Sequence, residues 1–214
     1  MPNSRKPLNQ QLTESISESD RMHSEILEAI RGPDSTRDLT LAPLRTKISS
    51  AYCKLTIEHG RGITRLMAER LPLPAAALLR SQHDALLRAT WVYGCASDNW
   101  LNTFGDWQYT TESSYPRFPG TDVLLKRIER EDALANLHRF LINTGTASRG
   151  NYHSFTHGGI LAVFEIMQGF DQSNASQLLR STAAHSYNAA VLACEISQDQ
   201  DALRRITEIR RWPN

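Results

Sequence analysis

Cysteine is scarce in this chain, neither sign of charge predominates, and long apolar runs are missing. Each absence removes a class of protein. Cys53, Cys95 and Cys194 are odd in number and far apart, which excludes a disulfide scaffold and any CxxC zinc motif. They read as small buried thiols in a reducing compartment. With 24 basic against 23 acidic side chains the net charge is +1, which argues against a broad basic face for polyanions. No window approaches 18 apolar residues and MPNSRKPLNQ has no apolar h-region, so membrane insertion and secretion are not expected, and a cytoplasmic location is. Sustained period-two alternation and internal repeats are absent, which speaks against sheet and solenoid folds. GxSxG is absent, HGRGITR lacks the third glycine of a dinucleotide fingerprint, and no carboxylate stands near the histidine pair His153/His157 to complete a metal set. No cofactor and no metal are therefore expected.

What is present is helical periodicity over 214 residues, enough for one well-cored domain. A partly amphipathic helix spans 8–31 and must end at Gly32-Pro33, and a Gly/Pro/Asp/Ser linker follows. From 44 to 71, Leu44, Ile48, Ala51, Tyr52, Leu55, Ile63, Leu66 and Met67 recur at spacings of three and four. Gly60 and Gly62 weaken the middle of that helix by roughly 1 kcal/mol each, which predicts close packing or a kink there. LPLP at 71–74 makes a hinge, with Pro74 opening a helix to about Ala96. Residues 97–121 hold six aromatics. Trp100, Phe104 and Trp107 extend as a short helix, and the Pro/Gly-rich remainder is a packed loop. A helix from Thr121 to about Asn143 is broken near Asp132, GTASRGNYHSFTHGG forms a second polar loop, and helices at 159–170, 174–197 and the C-terminus complete the chain. The expected fold is all-α, a bundle of about six or seven helices with two long polar loops. Residues 1–42 form an N-terminal helix and linker on the bundle, 43–198 the bundle itself, and 199–214 a short basic amphipathic helix.

Two segments carry chemistry. In PAAALLRSQHDALLRATWVYGCA, an otherwise apolar helix, Arg80, Asp84 and Arg88 form an i, i+4, i+8 stripe. That stripe is either an ion-pair ladder or an anion site, since the guanidinium fork matches planar oxyanions. His83 falls on a different face. In NYHSFTHGG, His153 and His157 supply acid–base groups with Arg149 upstream, Thr156 offers a hydroxyl, and the amides of Gly158 and Gly159 open the next helix toward an anion. The alternative is a pair of histidines that close the bundle by hydrogen bonds. His59, beside Glu58, reads either as a satisfied core histidine or as a supporting group. Arg204, Arg205, Arg210 and Arg211, interleaved with Leu203, Ile206 and Trp212, make a solvated amphipathic face or one that touches RNA or a membrane.

The order AYCKLTIEHGRGI, AALLRSQHDALLRATW, NYHSFTHGG resembles a group of bacterial helical proteins that look similar to the HEPN superfamily of nucleotide-binding bundles. The resemblance, over roughly residues 44–197, implies an α-helical and often dimeric bundle. Many HEPN members are metal-independent ribonucleases of toxin or anti-phage systems, while others bind nucleotides or a protein partner such as an antitoxin. The ribonuclease members separate an Arg from a following His by four to six residues. Arg180 and His185 fit that spacing formally, whereas three residues separate Arg149 from His153 and seven separate it from His157. In an RNA-cleaving site His153 or His157 takes the 2′-hydroxyl proton, Arg149 or Arg80 stabilises the phosphate, and Asp84 orients an arginine. The competing expectation is a non-catalytic bundle that binds a nucleotide or a protein, with the same residues structural.

Overall fold

The computed structural model describes residues 8–31, 41–105, 116–157 and 159–209, with backbone alone for Leu8, Asn9, 146–153 and Gln172. The described residues form nine α-helices and no strand: α1 Leu8–Ile30, α2 Leu44–Ala68, α3 Pro72–Cys95, α4 Asp98–Gly105, α5 Thr121–Ile128, α6 Ala135–Thr156, α7 Ile160–Gln168, α8 Gln172–Ser197 and α9 Gln200–Glu208. The all-α expectation holds, and the helices outnumber the six or seven read from periodicity. The largest difference is at 144–156. There α6 continues as helix through the segment expected to be a polar loop. Gly145 lets α6 approach α3 closely, since a Cβ there would stand 3.3 Å from His83 Nε2.

Start and stop chemistry sets the other boundaries. The hinge is shorter than expected, since α3 opens on Pro72 rather than Pro74, and both prolines fall in its first turn, where a missing N–H costs nothing. Arg70 turns the chain between α2 and α3 with φ 59°. A 3-10 turn at Asp132–Leu134 separates α5 from α6, as the break at Asp132 predicts. Asp171 caps α8 by accepting from the Ser173 amide at 3.1 Å, and Asp199 caps α9 by accepting from the Ala202 amide at 2.8 Å. The linker at 32–40, Trp107, Arg210, Arg211 and Trp212 lie outside the described residues.

α3 is the axis of the bundle. α2 packs along one side of it, α6 runs antiparallel along another, and α8 closes against α1, α2 and α3. Three contacts fix the direction of α6: Leu134 against Gly94, Gly145 against His83, and Thr156 Oγ1 donating to the Ala77 carbonyl at 3.4 Å. Trp91, Leu86, Leu87, Leu141, Leu192 and Ile206 are fully buried in the main core. Two arginines hold helix ends whose carbonyls lack a partner within the helix. Arg45 donates to Val92 O at 2.8 Å and Ala96 O at 2.7 Å, and Arg205 donates to Ala29 O through Nε at 3.1 Å and Nη2 at 2.9 Å. The C-terminal basic helix is thus part of the bundle, and one of its arginines is occupied on α1. α1 is also integral, since Met22 and Ile26 enter the main core.

Candidate functional site

The stripe and the buried histidine of the same helix face different parts of the molecule. On α3, Ala77, Arg80, Asp84 and Arg88 lie on one narrow strip at 100° per residue, while His83 points into the core and is 5% exposed. The expected ladder is only half formed. Arg80 Nε stands 4.0 Å from Asp84 Oδ2, and Arg88 instead lays its guanidinium 5.0 Å over the Phe118 ring, beside the Tyr52 phenol. Burial raises the pKa of Tyr52, and the charge and hydrogen bond of Arg88 oppose that rise.

These residues line a cleft of about 690 Å³ between α2, α3, α4 and the 116–121 segment. Among the described residues the lining holds three arginines, Arg80, Arg88 and Arg117, and one carboxylate, Asp84, and Tyr52, Phe104 and Phe118 supply rings. The 116–119 segment is anchored from the side: Trp100 Nε1 donates to Arg117 O at 3.2 Å, and its ring lies 4.9 Å from Phe118. Among the described residues that line the cleft there is no histidine. Tyr52, Phe104, Arg117 and Phe118 were not legible as site residues, because nothing local distinguishes them from other loop and helix aromatics.

The second assembly is a seam of buried polar groups where α1, α2, α3, α6 and α8 meet. Thr182 Oγ1 donates to Gln82 Oε1 at 2.6 Å. Gln82 Nε2 donates toward Thr182 O, Thr56 O and Ser186 Oγ at 3.0, 3.2 and 3.1 Å. His23 Nδ1 lies 2.7 Å from Ser19 O, a pure acceptor, so Nδ1 carries the proton and Nε2 accepts from the Ser186 hydroxyl at 2.9 Å. The same logic fixes His185: Nδ1–H donates to Ser181 O at 2.7 Å, leaving Nε2 to accept from His83 Nδ1–H at 3.2 Å. Thr64 donates to Gly60 O, and Ser19 Oγ in turn donates to Thr64 Oγ1 at 2.8 Å. Gly60 is the keystone. A Cβ there would stand 2.6 Å from His23 Nε2 and 2.7 Å from Gln82 Nε2, and closer still to Ser186 Oγ. The close packing expected around this glycine is present.

Such a seam favours neutral imidazoles. Burial, and secondarily the neighbouring His83, push the His185 pKa down to about 3, and burial lowers that of His23. Enclosure and fixed partners keep both from exchanging protons with a ligand. Arg180, the formal partner of His185, is exposed on the opposite side of α8. His59 is half-buried, its pKa lowered by burial.

The histidine segment is placed as follows. Arg149 and His153 ride on α6, with their side chains outside the described residues, as is Gly158. Thr156 is exposed and holds the end of α6 on Ala77, one turn before Arg80, and His157 is exposed just beyond it. Of the two anion-binding amides expected at α7, that of Gly159 is used internally, donating to Ser154 O at 2.6 Å, and the next turn follows it, with Leu161 N donating to Ser154 Oγ at 3.1 Å. The described residues hold no cluster of three metal-ligating side chains, and no helix among them is long and apolar enough to cross a membrane.

Fold and site together define an all-helical bundle with a satisfied polar seam inside and an arginine- and aromatic-lined cleft outside. The chain belongs to a family of unknown function, DUF6988, whose profile matches residues 53–212. That span begins inside α2, so α1, with Ser19 and His23 of the seam, precedes it. No curated protein and no solved structure matches the chain.

Proposed function

We propose that this protein is a HEPN-like helical bundle that binds a nucleotide in the Arg80/Arg88/Arg117 cleft without cleaving it. The presence of three arginines and three aromatic residues in the wall of one cleft of about 690 Å³ carries this reading. Guanidinium forks take phosphate oxygens in pairs, and aromatic faces take a base by stacking. The volume lies within the range of small-molecule sites. Among the described residues of the lining three arginines face one carboxylate, Asp84, a positive excess that suits one or two phosphates and agrees with a chain that is neutral overall. The buried histidines are absorbed by the seam, which favours binding over proton transfer.

Trp100 and Trp91 pack at 4.9 and 5.8 Å from Phe118, so tryptophan emission is a reporter at the cleft wall. Titration with nucleoside monophosphates is expected to change it saturably, with inorganic phosphate and free nucleoside each much weaker. No change in emission, together with no heat of binding, would sink the reading.

One observation favours a second reading, a metal-independent endoribonuclease of a toxin or anti-phage system. The Thr156–Ala77 hydrogen bond brings the end of α6, which bears His153 and His157, to the helix that bears Arg80. In that reading His153 or His157 is the base, and Arg149 or Arg80 faces the phosphate. Expression of wild type beside His157→Ala, His153→Ala and Arg80→Ala, followed by total-RNA integrity, separates the two. Identical RNA profiles at equal soluble expression leave binding alone, and degradation by wild type that the variants lose establishes the nuclease. An antitoxin-like protein partner belongs to the same reading.

A further inference from the structure

α7 is anomalous for a helix of a folded domain. In the sequence ILAVFEIMQ only Ala162 is buried, whereas Ile160, Met167 and Ile166 are 80%, 79% and 71% exposed and Val163 and Phe164 about half. Ile160, Val163, Phe164 and Met167 follow the i, i+3, i+4, i+7 rule of a helix face that packs on something. Among the described helices its main neighbour is α6. At roughly 150–200 Å² for each fully exposed side chain of this size, these fractions leave about 600 Å² of apolar surface on one short helix. That is the upper end of what a monomer presents in one patch.

The same end of the bundle carries a matching hollow. Two residues beyond α7, Phe170 enters the wall of a groove of about 730 Å³ lined also by Leu12, Ile16, Met67 and Pro72, with Arg70 the single charged residue among the described ones. Glu165 is the single charged residue of α7. Neither has an ion-pair partner among the described residues. An apolar ridge with one negative charge thus stands beside an apolar groove with one positive charge.

We infer that α7 docks into the Leu12/Ile16/Met67/Phe170 groove of a second copy of this chain, and that copy's α7 into the first, in a two-fold dimer with Glu165 of each facing Arg70 of the other. Ridge and groove on one surface are the self-complementarity that a two-fold interface needs. The two four-residue ridges bring about 900 Å² into the contact, and the groove walls that cover them add a comparable area, which places the interface in the range of stable ones. α7 carries no Lys or Arg, which distinguishes it from helices that lie on anionic bilayers. The inference does not depend on the nucleotide cleft.

Sedimentation velocity and light scattering of the full chain test it. Wild type is expected to be a dimer at micromolar concentration, and Phe164→Asp, an exposed position, a monomer with an unchanged circular-dichroism melt. Arg70→Glu is expected to weaken association roughly tenfold, since two rim pairs are affected and each is worth two- to fivefold. The double variant Arg70→Glu/Glu165→Arg restores it, a rescue that a purely structural role of either residue would not give. A wild-type chain that stays monomeric, whether or not it floats with anionic vesicles, overturns the inference. So does a Phe164→Asp variant that remains dimeric, or a charge reversal without rescue.

Discussion

Substitution of one glycine by alanine at two positions of α2 separates the buried seam from ordinary helix propensity. In an isolated helix either change stabilises by about 1 kcal/mol, because alanine loses less backbone entropy on folding. At Gly62 the new methyl would meet only Leu78 Cδ2, at 3.1 Å, the end of a flexible side chain. Gly62→Ala should therefore leave stability within about 1 kcal/mol of wild type, on the favourable side. At Gly60 the methyl would fall inside contact distance of Ser186 Oγ, His23 Nε2 and Gln82 Nε2 together. None can retreat without breaking the chain that runs from Thr182 to Ser19, and each buried group left unmatched costs about 1–3 kcal/mol. Overpacking adds a cost of the same order. Set against the propensity gain, Gly60→Ala should destabilise by about 2–4 kcal/mol. Urea unfolding measures both variants under one m-value, and their midpoints in a thermal melt should differ by roughly 5–12 °C for a chain of this size. If Gly60→Ala proves as stable as Gly62→Ala, the seam is not packed as described.

Acid should unfold the protein through its histidines. His185 and His23 have folded-state pKa values below the ordinary 6.5, so the unfolded state binds the additional protons. Stability is then fully present above about pH 6.5 and falls as pH drops from there toward 3, at up to about 1.4 kcal/mol per unit for each group, and His185→Gln should flatten that slope in urea titrations at several pH values. Ser49 Oγ is fully buried with no hydrogen-bond partner, so Ser49→Ala should raise the melting temperature through a gain of about 1 kcal/mol, and a loss of stability would reveal a missed partner. Arg205→Ala should cost about 1 kcal/mol by uncapping α1 at Ala29, read as earlier exchange of α1 amide hydrogens, with no effect on nucleotide affinity. Arg88→Ala should leave the fold intact, since Arg88 is only partly buried, and weaken nucleotide binding by about tenfold or more, measured by titration.

Periodicity made the helical fold legible because apolar spacing reports a helix directly, and Asp132 and Gly60 were legible as a break and a close approach. The sequence misleads where the buried face is polar. On α2 the apolar count places Ala51 and Leu55 inward, yet both are exposed, and Ser49, Thr56, Gly60 and Thr64 are buried instead. Their spacing of seven, four and four is as regular as that of a leucine stripe, but partners on α1, α3 and α8 are needed before small polar residues become a core. The segment 144–156 reads as a loop because Gly, Ser, Thr and Asn suit turns, and its helix is held by packing on His83 and Ala77, which local propensity does not see. Arg80, Asp84 and Arg88 were legible by helical spacing. Arg117 and Phe118 were not, because only Trp100 and the fold bring that segment over α3.

Arginine side-chain NMR during a nucleoside monophosphate titration tests the central claim most directly, since the Nε–Hε resonances report each guanidinium separately. The account predicts saturable shifts at Arg80, Arg88 and Arg117, with Arg180, Arg204 and Arg205 unmoved and the seam histidines His23 and His185 unchanged. Shifts centred on Arg180 or Arg149, or none at a saturating ligand concentration, would contradict it.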